Sequence, residues 1–212
     1  TLKMQNDLTQ EKLKTDLSLM NKEIKNLGEV HLDKSQMVNM TIINQITRQK
    51  ENVTIPALKI GQMTINNNFE LVDKTKNLVG GTATIFQVLP GKLLRISTNV
   101  RKLNGSRAVG TYIPSESPVY KTVMNGETFY GRAYVVNDWY LTAYKPLRDN
   151  NGQIVAVIYV GRKILTPQLR TFILDTTAKG QGTVFAYNSR GKVLIHPDRG
   201  MQGKNIFFFS YG

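Results

Sequence analysis

The sequence predicts an α+β fold: one long N-terminal helix, then a five-stranded antiparallel sheet, then the opening of a second, incomplete module. Three observations predict it. Residues 3 to 50 contain no proline, and Leu13, Leu17, Met20, Ile24 and Leu27 alternate spacings of four and three. Between Thr82 and Val160, β-rich segments alternate with turn residues. After Thr166 the pattern restarts, with a helical stretch and one more hairpin.

The helix is expected over residues 1–55, with Gly28 as an interruption and a second stripe at Met37, Met40, Ile43 and Ile46. Its seam suits two roles, a dimer interface that relays a signal or packing on the chain's own domain. Pro56 opens a connection to Asn68, and Phe69 to Lys76 reads as a short helix ending near Gly80. Thr82 to Val88 and Leu93 to Val100 flank the loop Leu89-Pro90-Gly91-Lys92. Ser115 to Met124 reads as a helix, with Ser115 or Ser117 as its cap and Pro118 in its first turn. Phe129 to Val136 and Trp139 to Lys145 flank Asn137-Asp138, with Pro146 closing the second strand. Asn151-Gly152 turns the chain into Ile154 to Val160, a β-branched run expected at the centre of the sheet. Thr166 to Lys179 reads as helical. Thr183 to Tyr187 and Lys192 to His196 read as a hairpin joined by Asn188-Ser189-Arg190-Gly191. The division is thus 1–55, 56–165 and 166–212.

Composition narrows the function. The 212 residues include no cysteine, which excludes thiolate catalysis, a Cys-zinc site and disulfides. His31 and His196, the two histidines, stand far apart in sequence and argue against a multi-His metal site. No GxSxG, P-loop or HExxH pattern occurs, so neither an enzyme nor a cofactor is expected. The net charge is +13, but Lys and Arg are spread along the chain without a dense aromatic-interleaved run. That pattern is a solvated basic surface rather than a nucleic-acid site. There is no apolar run of about 18 residues. The start at Thr1 and the stop on FFFSYG are expected of a fragment. His196-Pro197-Asp198 reads as a strand end followed by a turn.

The sheet segment carries cations and phenols, which suits a small anionic ligand. Alternation places Tyr140, Thr142 and Tyr144 on one face, and Trp139, Leu141 and Ala143 on the other. The same alternation leaves Arg132 and Tyr134 dependent on the register of the Asn137-Asp138 turn. Taken in order, TIF, LRISTNV, the NGSRAVGT loop, SPVY, GRAYV, YLTAYKPL and VIYVG resemble the extracytoplasmic Cache sensor modules of bacterial chemoreceptors and related signalling proteins. GTVFAYNSRGKVLIHPD resembles the opening of a second such module. The resemblance implies a PAS-like sheet, a small-molecule ligand, a membrane-anchored and dimeric parent protein, and a cytoplasmic output such as chemotaxis. It also implies a membrane helix before Thr1.

In related citrate- and dicarboxylate-sensing modules, the second strand carries an Arg and, three residues later, a polar side chain that touch the carboxylate. Arg95 and Thr98 fall at those places, and Arg107 lies in the loop that closes such pockets. The carboxylate sensors have His where this chain has Thr98. That speaks against a multi-carboxylate ligand and leaves a smaller acid, or an amino acid, open. The candidate ligand residues are therefore Arg95, Thr98, Arg107, Arg132, Tyr134, Tyr140, Thr142 and Tyr144.

Overall fold

In a computed structural model, residues 2–136, 138–164, 186–187, 191, 193–196, 198–201 and 204 are described. The chain divides into two compact units. The first comprises Thr1–Gly131 with Leu141–Arg162, and the second Arg132–Tyr140 with Lys163–Gly212.

Helix α1 runs from Leu2 to Leu27. Leu13, Leu17, Met20 and Ile24 are buried against the chain itself. These four residues of the stripe pack on the chain's own domain, one of the two roles the stripe suits, while Leu27 is exposed. The helix also stops well short of residue 55. Gly28 adopts φ 127°, a conformation open to glycine, and its missing side chain lets Gly61 approach: a Cβ there would stand 3.0 Å from Gly61 Cα.

Residues 30–60, expected as helix and connection, are strands: β1 (Val30–Asn44), β2 (Lys50–Ile60) and the short β3 (Met63–Thr64). The segment that carries the stripe at Met37, Met40, Ile43 and Ile46 also carries a period-two set, Val38, Met40 and Ile42. Pairing with β2 decides between them, because each strand satisfies the other's backbone groups. A bulge between Asp33 and Met37 accommodates Pro56, and Asp33 is ion-paired with Lys59 at 2.7 Å. Only Lys59 and Ile60 of β2 pair with β3, so the outer edge over Lys50–Ile55 has no strand partner among the described residues.

Next come α2 (Glu70–Val79), β4 (Thr82–Leu89), β5 (Lys92–Thr98), β6 (Thr111–Pro114) and α3 (Pro118–Met124). The described part of the sheet is completed by β7 (Phe129–Val135), β8 (Asp138–Arg148) and β9 (Ile154–Lys163). Gly80 caps α2 in the left-handed conformation, and the Ser117 side chain accepts from Val119 N at the start of α3. The order is β3-β2-β1-β6-β5-β4-β9-β8-β7. The sheet is mixed, because β1 runs parallel to β6. It has nine strands rather than five. β8 also continues through Pro146, which was expected to end it.

Helix α2 covers the face of β4 that carries Ala83 and Ile85. Asn99 joins the layers, donating through Nδ2 to Val72 O at 2.6 Å and accepting from Ala83 N at 2.8 Å. Helix α1 is fastened to this layer by Arg162 of β9. Its Nε donates to Asp16 Oδ2 at 2.7 Å, its Nη2 to Asp16 Oδ1 at 3.0 Å, and Nη2 also reaches Val79 O. Asp16 is only 2% exposed.

In the second unit, β10 (Ala186–Tyr187) pairs antiparallel with β11 (Val193–Ile195), within the expected hairpin. Trp139 Nε1 donates to Val193 O at 3.4 Å. His196 Nδ1 accepts from Asp198 N at 3.0 Å, while Pro197 of the turn read there lies outside the described residues. The helix expected over Thr166 to Lys179 lies outside the described residues. That the second module is incomplete is not established by these strands.

Replacing Asp16 with Ala strands the Arg162 guanidinium inside the helix layer. We expect a loss of about 3 kcal/mol in denaturant unfolding, against well under 1 kcal/mol for the exposed pair partner Glu11→Ala.

A candidate anion site around Arg95

The bulge between Ile85 and Phe86 of β4, opposite Ile96 of β5, builds the site. In a regular strand, residues three apart point to opposite faces. Here Arg95 pairs with Phe86 and Thr98 with Thr84, while Ile96 is the extra residue. Thr84 and Phe86 share a face of β4, so Arg95 and Thr98 share it too. Tyr159 of β9 pairs with Thr84 and joins them. This face is opposite the one covered by α2.

Arg95 is 1% exposed. Its Nη1 donates to Thr111 Oγ1, and its guanidinium lies over the Phe86 ring at 5.0 Å. Its Nε has no hydrogen-bond partner, and no carboxylate pairs with it among the described residues. Burial lowers the Arg95 pKa, with the Tyr144 and Tyr159 phenols acting the other way. An arginine still remains cationic under these conditions. This is a charge removed from water without a counter-charge, one of the more costly arrangements in a protein interior.

Rings surround the cation. Tyr144 lies 5.0 Å from Tyr159, 5.9 Å from Phe129 and 6.1 Å from Phe86, centroid to centroid. Two of these rings bring their tips over glycines. A Cβ on Gly131 would stand 2.7 Å from Phe129 Cζ, and one on Gly161 would collide with the Tyr159 hydroxyl. The Thr82 and Tyr159 hydroxyls are hydrogen-bonded at 3.1 Å. Burial pushes the Tyr144 pKa up to about 12, even with Arg95 beside it. Three clefts of 360 to 450 Å³ are lined by other residues, and the Arg95 face is closed.

The structure therefore gathers Arg95, Thr98 and Tyr144 on one face, with Thr142 beside Tyr144. Thr98 is buried and bonded to Thr84 Oγ1 at 2.6 Å. Thr142 Oγ1 donates to Gly131 O at 2.9 Å. Arg107 is not in this group. It grips Asp73 of α2 through two bonds of 2.7 and 2.9 Å, donates to Thr98 O, and stacks on Phe69 at 4.3 Å. It thus pins the loop to the helix layer. Arg132 is exposed in the second unit, and Tyr140 is buried there. The side chain of Tyr134 lies outside the described residues. Phe86, Tyr159, Thr84 and Thr111 were missed as neighbours of Arg95. Period-two alternation in TATIF marks Thr84 and Phe86 as sharing a face, but only the bulge brings Arg95 and Thr98 onto it.

Helices on one face of a long sheet and a buried, unpaired cation on the other suit a sensory module of the Cache class. Such domains are not enzymes. Residues 1–210 match the model of the Cache 3/Cache 2 fusion domain, and the chain belongs to that family. A search of curated protein sequences finds no match. Among solved structures, the sensory domain of the Campylobacter jejuni chemoreceptor Tlp3 (CcmL) is 15% identical; the alignment covers 65% of this chain and 54% of that one, with a TM-score of 0.34. The Tlp3 ligand-binding domain in complex with L-valine is 16% identical over 64% and 53%, with a TM-score of 0.32. The periplasmic sensory domain of Campylobacter jejuni Tlp1 is 18% identical over 64% and 57%, with a TM-score of 0.33. The chain spans about half the length of these solved chains. Among the described residues, no helix is long and apolar enough to cross a membrane.

The raised pKa of Tyr144 has a stability consequence. Folding favours its protonated form, so that contribution is complete below pH 10 and is lost as pH rises toward 12. Two pKa units correspond to about 3 kcal/mol. Unfolding free energy should fall by about that much across this interval, and Tyr144→Phe should remove most of the fall.

Proposed function

We propose that the chain is the extracytoplasmic ligand-binding part of a signalling receptor and that it binds a small organic acid at Arg95. The observation that carries this reading is the buried guanidinium with an unpaired Nε and no carboxylate partner among the described residues. A ligand carboxylate supplies the missing counter-charge, and the guanidinium fork suits it through charge-assisted hydrogen bonds. Thr98 and Thr84 add hydroxyls to the same face. An amino acid is the second choice. Among the described residues the fully buried acid is Asp16, already committed to Arg162 on the helix side, which leaves an ammonium without a partner.

The face is closed, so entry requires the covering segments to move. A ligand shifts such an equilibrium only by its differential affinity for the open and closed forms. The loop that ends in β6 is tied by Arg107 to α2, and α1 is tied by Asp16 to β9, so movement at β5 has a mechanical route to the N-terminal helix. In this reading the parent protein is membrane-anchored, works as a homodimer through surfaces other than the α1 stripe, and drives an output such as chemotaxis.

The test is a thermal-shift screen of the purified protein against small acids and amino acids, with L-valine and isoleucine included, on wild type and Arg95→Met. A carboxylate-bearing hit that disappears in Arg95→Met supports the reading; a hit that survives unchanged overturns the site. The same variant tests the energetics. Without ligand, Arg95→Met should be more stable than wild type by about 1 kcal/mol, because it removes an uncompensated buried charge. A loss of several kcal/mol would make Arg95 a structural cation instead.

A further inference from the structure

The Arg95 face also carries information about the rest of the ligand. We infer that the site selects a monocarboxylate with an apolar body and no ammonium group; this rests on the reading of Arg95 given above. One charged side chain and several rings define this face. Arg95 is its buried cation, and Phe86, Phe129, Tyr144 and Tyr159 form a continuous aromatic cluster beside it. Neither of the other cations that sequence reading assigned to the site is buried with Arg95. Arg107 is bound to Asp73, and Arg132 is exposed in the second unit.

A second carboxylate on the ligand would therefore lie against rings with no cation to meet it. The raised pKa of Tyr144 agrees with this, since the pocket resists a negative charge even beside Arg95. An α-ammonium has the opposite difficulty. It lies close to its own carboxylate, and so close to the guanidinium, and the nearby acids Asp73 and Asp16 are paired on the other layer.

The room for an apolar body comes from the two glycines. Phe129 and Tyr159 bring their tips over Gly131 and Gly161, in space that any larger residue would fill. The Tyr159 hydroxyl is hydrogen-bonded to that of Thr82. In this reading, displacement of these rings gives an apolar body space within the aromatic cluster that Arg95 borders through Phe86. An apolar body there replaces ring-to-backbone contact with ring-to-ligand contact, so little apolar surface is returned to water.

The decisive comparison is isothermal titration of the purified protein with 3-methylbutanoate and with L-valine, which differ by the ammonium group, together with succinate. Leaving an ammonium unpaired costs at least about 1.4 kcal/mol, so 3-methylbutanoate should bind at least tenfold more tightly than L-valine. Succinate should bind more weakly than either. Tighter binding of L-valine or of succinate, still lost in Arg95→Met, overturns this selectivity and leaves the Arg95 carboxylate site standing. Binding of all three that is indifferent to both Arg95→Met and Arg95→Lys overturns the two together. Should Arg95→Met fail to fold, Arg95→Lys serves alone: it keeps the charge, loses the fork, and should weaken 3-methylbutanoate while preserving the order of the ligands.

Discussion

A guanidinium held in the sheet without a carboxylate is the constraint around which this structure is organised. The bulge at Ile96 exists on the strand that carries it, and it sets Arg95 and Thr98 side by side. The Thr111 hydroxyl and the Phe86 face offset part of the desolvation. Neither neutralises the charge. A fold that keeps such a group tolerates a less stable resting state, and this is the arrangement in which an anionic ligand yields the largest gain in stability.

The opposite face of the sheet has the reverse character. There, among the described residues, the charges that face the helix layer are paired. Asp16 and Arg162 meet through two bonds, Arg107 and Asp73 through two more, and Asn99 serves both α2 and β4. The sheet thus separates a settled polar layer from an unsettled one. Because the same strands, β4, β5 and β9, form both faces, a shift of the unsettled face is presented directly to the anchors of α1 and α2.

The strands β4, β5, β7, β8 and β9 were legible because alternation, β-branched residues and turn residues agreed with one another, whereas β6, Thr111–Pro114, is too short to show alternation and was missed. The helix from Leu2 to Leu27 was legible from its apolar spacing. Residues 30 to 60 were not, since Met37, Met40, Ile43 and Ile46 fit a helical period while Val38, Met40 and Ile42 fit a strand. Pro56 also masked β2, because proline in a strand needs the local irregularity that only the Asp33 bulge supplies. In the site, Arg95 and Thr98 were visible through family resemblance, and Tyr144 through alternation with Thr142. The role of Arg107 was not, because its partner Asp73 stands 34 positions away in a different element. The glycine-backed rings were equally hidden: Gly131 and Gly161 read as ordinary strand glycines until the tips of Phe129 and Tyr159 are seen over them.

The outer edge of β2 has a consequence of another kind. Over Lys50–Ile55 it presents main-chain groups with no strand beside them, and a bare edge is a template on which further extended chains add without limit. Lys50 and Glu51 place charges at one end of this stretch. Pro56, with no N–H to offer, closes the other, and the Lys59–Asp33 ion pair follows it. These residues make this margin of the sheet a poor template for the addition of further strands.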